Sequence, residues 1–363
     1  MPGIYTHNYI FRKAADNVLK SSGKSYLMKS IALLLSSSEH KKSGLLGAIG
    51  PNIFDYIHPF KRGDTYGHRI SFYLHDSGYS SFIDKMIDVI LESGDMRNEW
   101  TSVRRAYLFG YISHIISDSV VHPYVFYSSG FPEIENQAKA RFFRRGNLRF
   151  QYNIDNWFIY RDGTFTPAEL DVLTMVPSMK QNSEKGVWLP VRSLLLESLK
   201  RENTEIFSIE FSKIENLKLD GSLNKNTSID RVLRNIPLCY KLKRTTDERK
   251  MRLFDRFNES PLTYSDFFVR YPLPKRVDDD ALNMHQSRWQ YPALQRGFRY
   301  DSVLHLIREA VEKTVTAWVA LEEMIYSGKR PSMESLGIIN AYTGEKGACY
   351  TDMKIKDPVK LKV

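Results

Sequence analysis

Residues 110–124 read GYISHIISDSVVHPY, and three metal-capable side chains stand four residues apart in it: His114, Asp118 and His122. The stretch from Asn98 to His122 is apolar nearly all round, which predicts a central buried helix. Pro123 cannot continue that helix and predicts its end at His122. Side chains at i, i+4 and i+8 share one face, with neighbours ~6 Å apart along the axis and the outer pair ~12 Å apart. Zinc bonds to imidazole or carboxylate are about 2.0–2.2 Å long, so one ion cannot reach both His114 and His122 from an unbroken helix. The spacing therefore demands two metal positions, or one metal with an outer partner, and Asp118 can bridge through its two oxygens. Imidazole and carboxylate without thiolate suit zinc, with manganese and iron open alternatives. A buried, hydrogen-bonded His–Asp pair is the competing structural reading, and the spacing alone does not choose between them.

Working outward, THNYIFRKAADNVLKSS, SYLMKSIALLLSSS, SSFIDKMIDVILES and RYDSVLHLIREAVEKTVTAWVALEEMIYSGK carry apolar residues at helical spacing. The glycine- and proline-rich stretch GLLGAIGPNIFDYIHPFKRGDTYGH predicts a functional loop, and EHKKSG a polar turn that leaves His40 solvated. No strand signal or internal repeat stands out, so the fold class is all-α. We divide the chain into a helical domain over 1–162, a mainly helical C-terminal region over 163–345, and a basic tail over 346–363. The tail after Gly344 is expected to fray.

Lys and Arg number 52 against 42 Asp and Glu, a net charge of +10, which favours anionic partners. Hydrophobic residues make up 42% of the chain, which excludes a disordered polymer, and no run has the length of a membrane span. The two cysteines, Cys239 and Cys349, fall outside any metal-binding spacing. The opening MPGIYTHNYIFRK lacks the charged-then-apolar pattern of a secretion signal, so a cytoplasmic location is expected. Seven of the nine histidines fall in the first 122 residues, namely His7, His40, His58, His68, His75, His114 and His122. His58 and His75 read equally well as core or loop residues.

Four blocks together resemble the zinc-dependent phospholipase C family, whose helical fold is shared with fungal single-strand-specific nucleases. PGIYTH supplies His7, GAIGPNIFDY stands where the family has G-x-x-x-PD-x-F, YGH supplies His68, and GYISHIISDSVVHPY is the most specific block. The resemblance covers roughly the first 160 residues, by the position of these blocks. It implies a phospholipase C/nuclease-like helical bundle and zinc ions that activate water for phosphodiester hydrolysis. It further implies that His68, His114 and Asp118 hold one ion, His7 and Asp118 its neighbour, and His122 a third.

The chain departs from the family pattern at several ligand positions. Asn52 replaces the carboxylate of the PD pair, and an amide oxygen cannot take a proton near neutral pH. In NLRFQ, Asn147 and Gln151 replace the His and Glu that complete the third site. The family's processed terminal amine is not expected as a ligand here, since the sequence opens at Met1 with no cleavage signal. These losses lead us to expect one or two zinc ions rather than three. Asp55, one turn after Asn52, is the candidate replacement carboxylate and, with Asp118, the candidate catalytic pair. Asp64, Asp76, Glu133 and Glu135 are weaker substitutes.

Three functions compete at this level. The first is a phospholipase C-like hydrolase acting on a phospholipid or other phosphodiester, at or near an anionic membrane surface. The second is a catalytically inactive family member with a binding or structural role. The third, and weakest, is a nuclease or nucleic-acid binder, since no nucleic-acid motif accompanies the charge. The arginines and aromatics of KARFFRRGNLRFQ read as a solvated helix face more readily than as an anion clamp. Asp155, four residues beyond Gln151, is expected to cap or pair on its own helix.

Overall fold

The computed structural model of the chain describes residues 3–23, 25–60, 66–171, 187–202, 229–259, 269–273, 279–293, 298–328, 330 and 332–359. Among these, helices supply the architecture, and an isolated antiparallel bridge between Trp289 and Arg299 is the extended pairing present. The helices are α1 (Ile4–Lys20), α2 (Tyr26–Ser36), α3 (Ser38–Gly47), α4 (Tyr66–Asp76), α5 (Tyr79–Glu92), α6 (Glu99–Ser129) and α7 (Gln137–Tyr160), then α8 (Trp188–Arg201), α9 (Val232–Lys243), α10 (Glu248–Glu259) and α11 (Val303–Ser327). A 3-10 helix over Gly50–Ile57 joins α3 towards α4. None of these helices is long and apolar enough to cross a membrane.

The apolar run around Asp118 becomes the axis of the molecule. Asn98 starts α6 by accepting the Trp100 N–H at 2.8 Å on its side-chain oxygen, as an N-cap residue does. The helix is buried on nearly every side, which its all-round apolar pattern requires. One buried hydrophobic cluster runs from Ile4 to Ala341 and joins α6 to α1, α3, α5, α8 and α11. Trp318 on α11 donates its indole N–H to the Phe109 carbonyl at 2.8 Å, and Arg105 meets Glu322 at 2.6 Å with both side chains buried.

Three local expectations are corrected. First, α6 does not end at His122 but continues through Pro123 to Ser129. Proline removes the N–H that would reach the Ser119 carbonyl. The chain at Gly344 packs against that carbonyl; its φ is +68°, and a Cβ there would press on Ser119 O and the Pro123 ring. The weakened turn is thus held by tertiary packing. Second, the predicted turn and the first part of the predicted loop form α3, with His40 reaching the Leu34 carbonyl and Glu99. The glycines there serve contact between helices: α3 lies so close on α6 that a Cβ on Gly110 would overlap the Gly44 carbonyl oxygen. Third, the described part of the segment after Gly344, to Val359, is docked. Lys356 O accepts the Phe131 N–H at 2.8 Å, Val359 donates to Tyr127 O at 3.0 Å, and Met353 is buried with Phe126 and Phe131.

Candidate metal centre

Asp118 projects from the middle of α6 and is fully buried, with four imidazoles around it. His114 Nε2 lies 3.0 Å and His75 Nε2 3.3 Å from Oδ2; His7 Nε2 lies 3.1 Å and His122 Nε2 3.4 Å from Oδ1. His114 and His122 come from the same helix, one turn to either side, while α1 delivers His7 and α4 delivers His75. Each oxygen of Asp118 therefore faces two ring nitrogens. His7 also stacks on His114 with centroids 4.0 Å apart, and His7, His114 and Asp118 offer ligand atoms within 4.8 Å of one another.

The far sides of three rings fix which nitrogen points inward. His114 Nδ1 lies 3.0 Å from Ala48 O, His75 Nδ1 2.6 Å from Ser71 O, and His122 Nδ1 2.5 Å from Ala341 O. A backbone carbonyl only accepts, so each Nδ1 carries the hydrogen and each neutral ring turns its Nε2 lone pair towards Asp118. These tautomers are assigned from the hydrogen-bond partners. Burial lowers the pKa of His75 and His114, and that of His122 further, despite the neighbouring carboxylate. Burial works to raise Asp118, but positive charge on His114, His122 or His7 outweighs it, so its carboxyl is held well below the usual range and gives up its proton before the rings do. The result is one carboxylate among inward-facing lone pairs, with His75 Nε2 and His114 Nε2 only 3.0 Å apart. Both oxygens of Asp118, both nitrogens of His7 and Nε2 of His122 are buried without a hydrogen bond among the described residues. Converging acceptors of this kind fit a cation, and imidazole with carboxylate is a donor set zinc accepts.

The site expected from sequence is assembled only in part. His7, His114 and Asp118 come together as expected. His122 joins them instead of standing apart, because its ring turns back towards Oδ1. His68 does not reach Asp118: its Nδ1 lies 3.2 Å from Asp55 Oδ1, and Ser71 donates to Asp55 Oδ2 at 3.1 Å. The inward position belongs to His75. The two histidines are seven residues apart on α4, nearly the same angular position, and only packing decides which end lies inside. Asp55 accordingly holds His68 and stays half-buried outside the cluster.

Asn52 keeps a buried side-chain oxygen with no hydrogen-bond partner among the described residues. Asn147 is committed elsewhere: its Oδ1 accepts from Ser129 Oγ and its Nδ2 donates to Gly130 O at 3.0 Å, tying α7 to the end of α6. Gln151 is buried on the same helix. Of the weaker substitutes, Glu133 pairs with Arg144 at 3.1 Å, and Asp76 accepts from Asn340 and from the Tyr350 N–H. Asp64 and the terminal amine of Met1 lie outside the described residues.

Two neighbours, one read differently from sequence and one not singled out there, hold the centre in place. Asp155 does not pair along its own helix; it receives Thr6 N–H at 2.9 Å, Thr6 Oγ1 at 2.7 Å, Tyr5 N–H at 3.4 Å and Tyr271 OH at 2.7 Å. Burial pushes its carboxyl up to about 6 against these donors. The first turn of α1, and so His7, is thereby fixed to α7. From the far end of the chain, Tyr342 lies over His75 and His122, with centroids 5.6 and 5.7 Å apart and rings tilted by 27° and 20°. Desolvation, then the carboxylates of Glu133, Asp55, Asp118 and Asp76, raise its phenol well above the ordinary value.

An all-helical protein with a buried histidine–aspartate group able to hold a metal ion is the class that fold and site define. Residues 6–174 match the family described as zinc dependent phospholipase C, and the chain thus carries a zinc-dependent phospholipase C-like domain. The match spans His7, His75, His114, Asp118 and His122; Tyr342 and α8–α11 lie beyond it. No curated protein and no solved structure matches the chain.

Proposed function

We propose that the chain is a metal-dependent phosphodiester hydrolase of phospholipase C type, working with one or two zinc ions and taking a phospholipid as substrate. The observation that carries this is the pairing of two imidazole nitrogens with each oxygen of a single buried carboxylate. His75, His114 and Oδ2 would hold one ion, and His7, His122 and Oδ1 the other, with Asp118 between them. Bound zinc supplies Lewis-acid polarisation of a phosphoryl oxygen and a water of lowered pKa. The protein's own part is to keep the rings neutral and aimed, through the carbonyls of Ala48, Ser71 and Ala341. Asn147 supports the reduced complement, because both halves of its amide are occupied in joining α7 to α6. The Asp55–His68 pair, half-buried two turns from His75, is placed to accept a proton nearer the solvent.

Burial favours a second reading. Asp118 and the four histidines around it are no more than 2% exposed, which suits an ion that stabilises a non-catalytic scaffold as well as one that turns over substrate. The test is release of phosphorylated headgroup from vesicles of zwitterionic and anionic phospholipids by zinc-loaded protein, beside Asp118→Ala. Release that disappears in the variant supports the hydrolase. Metal retained without release from any vesicle overturns it in favour of the scaffold.

A further inference from the structure

The segment 338–344 lies far beyond the part of the chain that matches the metal-dependent family, yet it touches the metal centre at three points. Ala341 O accepts from His122 Nδ1 at 2.5 Å. One peptide group away, Ala341 N–H donates to the His75 carbonyl at 3.2 Å. The ring of Tyr342 then covers both imidazoles and packs against Phe72 and Phe126. This is not a chance approach of a loose loop. Asn340 is fully buried and clasps the turn: its Nδ2 donates to Asp76 O at 2.8 Å, and its Oδ1 accepts the N–H groups of Tyr342 and Thr343 at 2.9 and 2.8 Å. Gly344 closes the turn against the Ser119 carbonyl, in a conformation and a space that admit no side chain.

We infer that this strap is the second half of the metal centre: Ala341 and Tyr342 are positioning residues that hold His122 and His75 with Nε2 inward and keep water off their outer faces. The inference rests on the reading of the Asp118 cluster as a metal site. His122 is the ring most dependent on the strap, because its other polar contact is Asp118 at 3.4 Å. With Ala341 O removed, the ring is free to adopt the other tautomer or to rotate, and it loses the carbonyl that raises its basicity as a ligand. The strap also explains how α6 tolerates Pro123 beside a ligand: Gly344 and Ala341 brace the helix on either side of the broken turn.

The experiment uses the full chain with Tyr342→Ala, Tyr342→Phe and Gly344→Ala. Zinc affinity is measured by chelator competition, the cobalt-substituted form by visible absorption, and thermal stability with and without zinc. Gly344→Ala meets Ser119 O, Pro123 and Tyr291 but no imidazole and leaves Tyr342 itself unchanged, and Tyr342→Phe keeps the ring and drops the hydroxyl. The expected result is a roughly 10- to 100-fold weaker zinc affinity in Tyr342→Ala and Gly344→Ala, with an altered cobalt spectrum, and near-normal values in Tyr342→Phe. That loss corresponds to about 1.4–2.7 kcal/mol removed from the zinc-dependent part of stability. An equal fall in Tm with and without zinc, at unchanged affinity and spectrum, would overturn the inference and leave the strap a packing element. If either alanine variant does not fold, the other decides by the same measurement. Absence of zinc binding in the unmodified chain would refute the metal reading itself, a different outcome from failure of the strap.

Discussion

Acidifying the metal-free protein should destabilise it steeply, and the buried rings set the size of the effect. Burial lowers the pKa of His75, His114 and His122 in the folded chain. In the unfolded chain each accepts a proton near about 6.5. Below that value the unfolded state binds more protons than the native state, so stability rises with pH. The contribution is complete above about pH 6.5 and is lost as the pH falls towards the folded values. Each ring that stays unprotonated costs up to ~1.4 kcal/mol per pH unit, so three cost up to ~4 kcal/mol per unit. Against a total of about 5–15 kcal/mol, one unit of acidification removes a large share of the stability. Asp118, held well below the usual carboxylate range, keeps its charge through this window and loses its contribution only at lower pH. The assay is urea unfolding of chelator-treated protein between about pH 7.5 and about pH 5.5, for the natural chain and His122→Gln. The variant should lose about a third of the slope, one ring of three. A flat profile, or the same slope in both proteins, would refute the reasoning that these rings are buried neutral.

Two further substitutions test the packing that places the centre. Gly110→Ala gains about 1 kcal/mol of helix propensity but forces a methyl into the Gly44 carbonyl, at a cost of about 1–3 kcal/mol or more, so net destabilisation is expected in urea. A stabilised variant would show that α3 and α6 are not in that contact. Arg105→Ala leaves Glu322 buried with Ser30 as its remaining donor among the described residues and should cost about 3–5 kcal/mol, whereas the double change Arg105→Met with Glu322→Leu should be close to neutral. Equal losses in both would assign the cost to packing rather than to the unpaired charge.

The part of the site on α6 was legible because its information is local. Spacing of four residues places His114 and His122 one turn on either side of Asp118, and an aspartate in an apolar helix demands partners. The same spacing asks for two metal positions or one metal with an outer partner, and the folded chain sets two rings against each oxygen of Asp118. What could not be read is set by tertiary packing. His68 and His75 occupy the same stripe of α4, and no periodicity distinguishes the inward from the outward end. Pro123 carries a local signal for helix termination that contacts from Gly344 override. The strap has no motif at all: Asn340 reaches Asp76 across 264 residues of sequence, through hydrogen bonds that only the folded chain brings together. Asp155 failed for the same reason, since its donors lie 149 and 150 residues away on α1 and 116 residues away at Tyr271.

The most direct test of the central claim is the metal content of full-length protein purified without chelator, beside Asp118→Ala. The account predicts about one or two zinc ions per natural chain and none in the variant, since both proposed positions share that carboxylate. A natural chain that holds no zinc, manganese or iron, or a variant that retains the full complement, would contradict it.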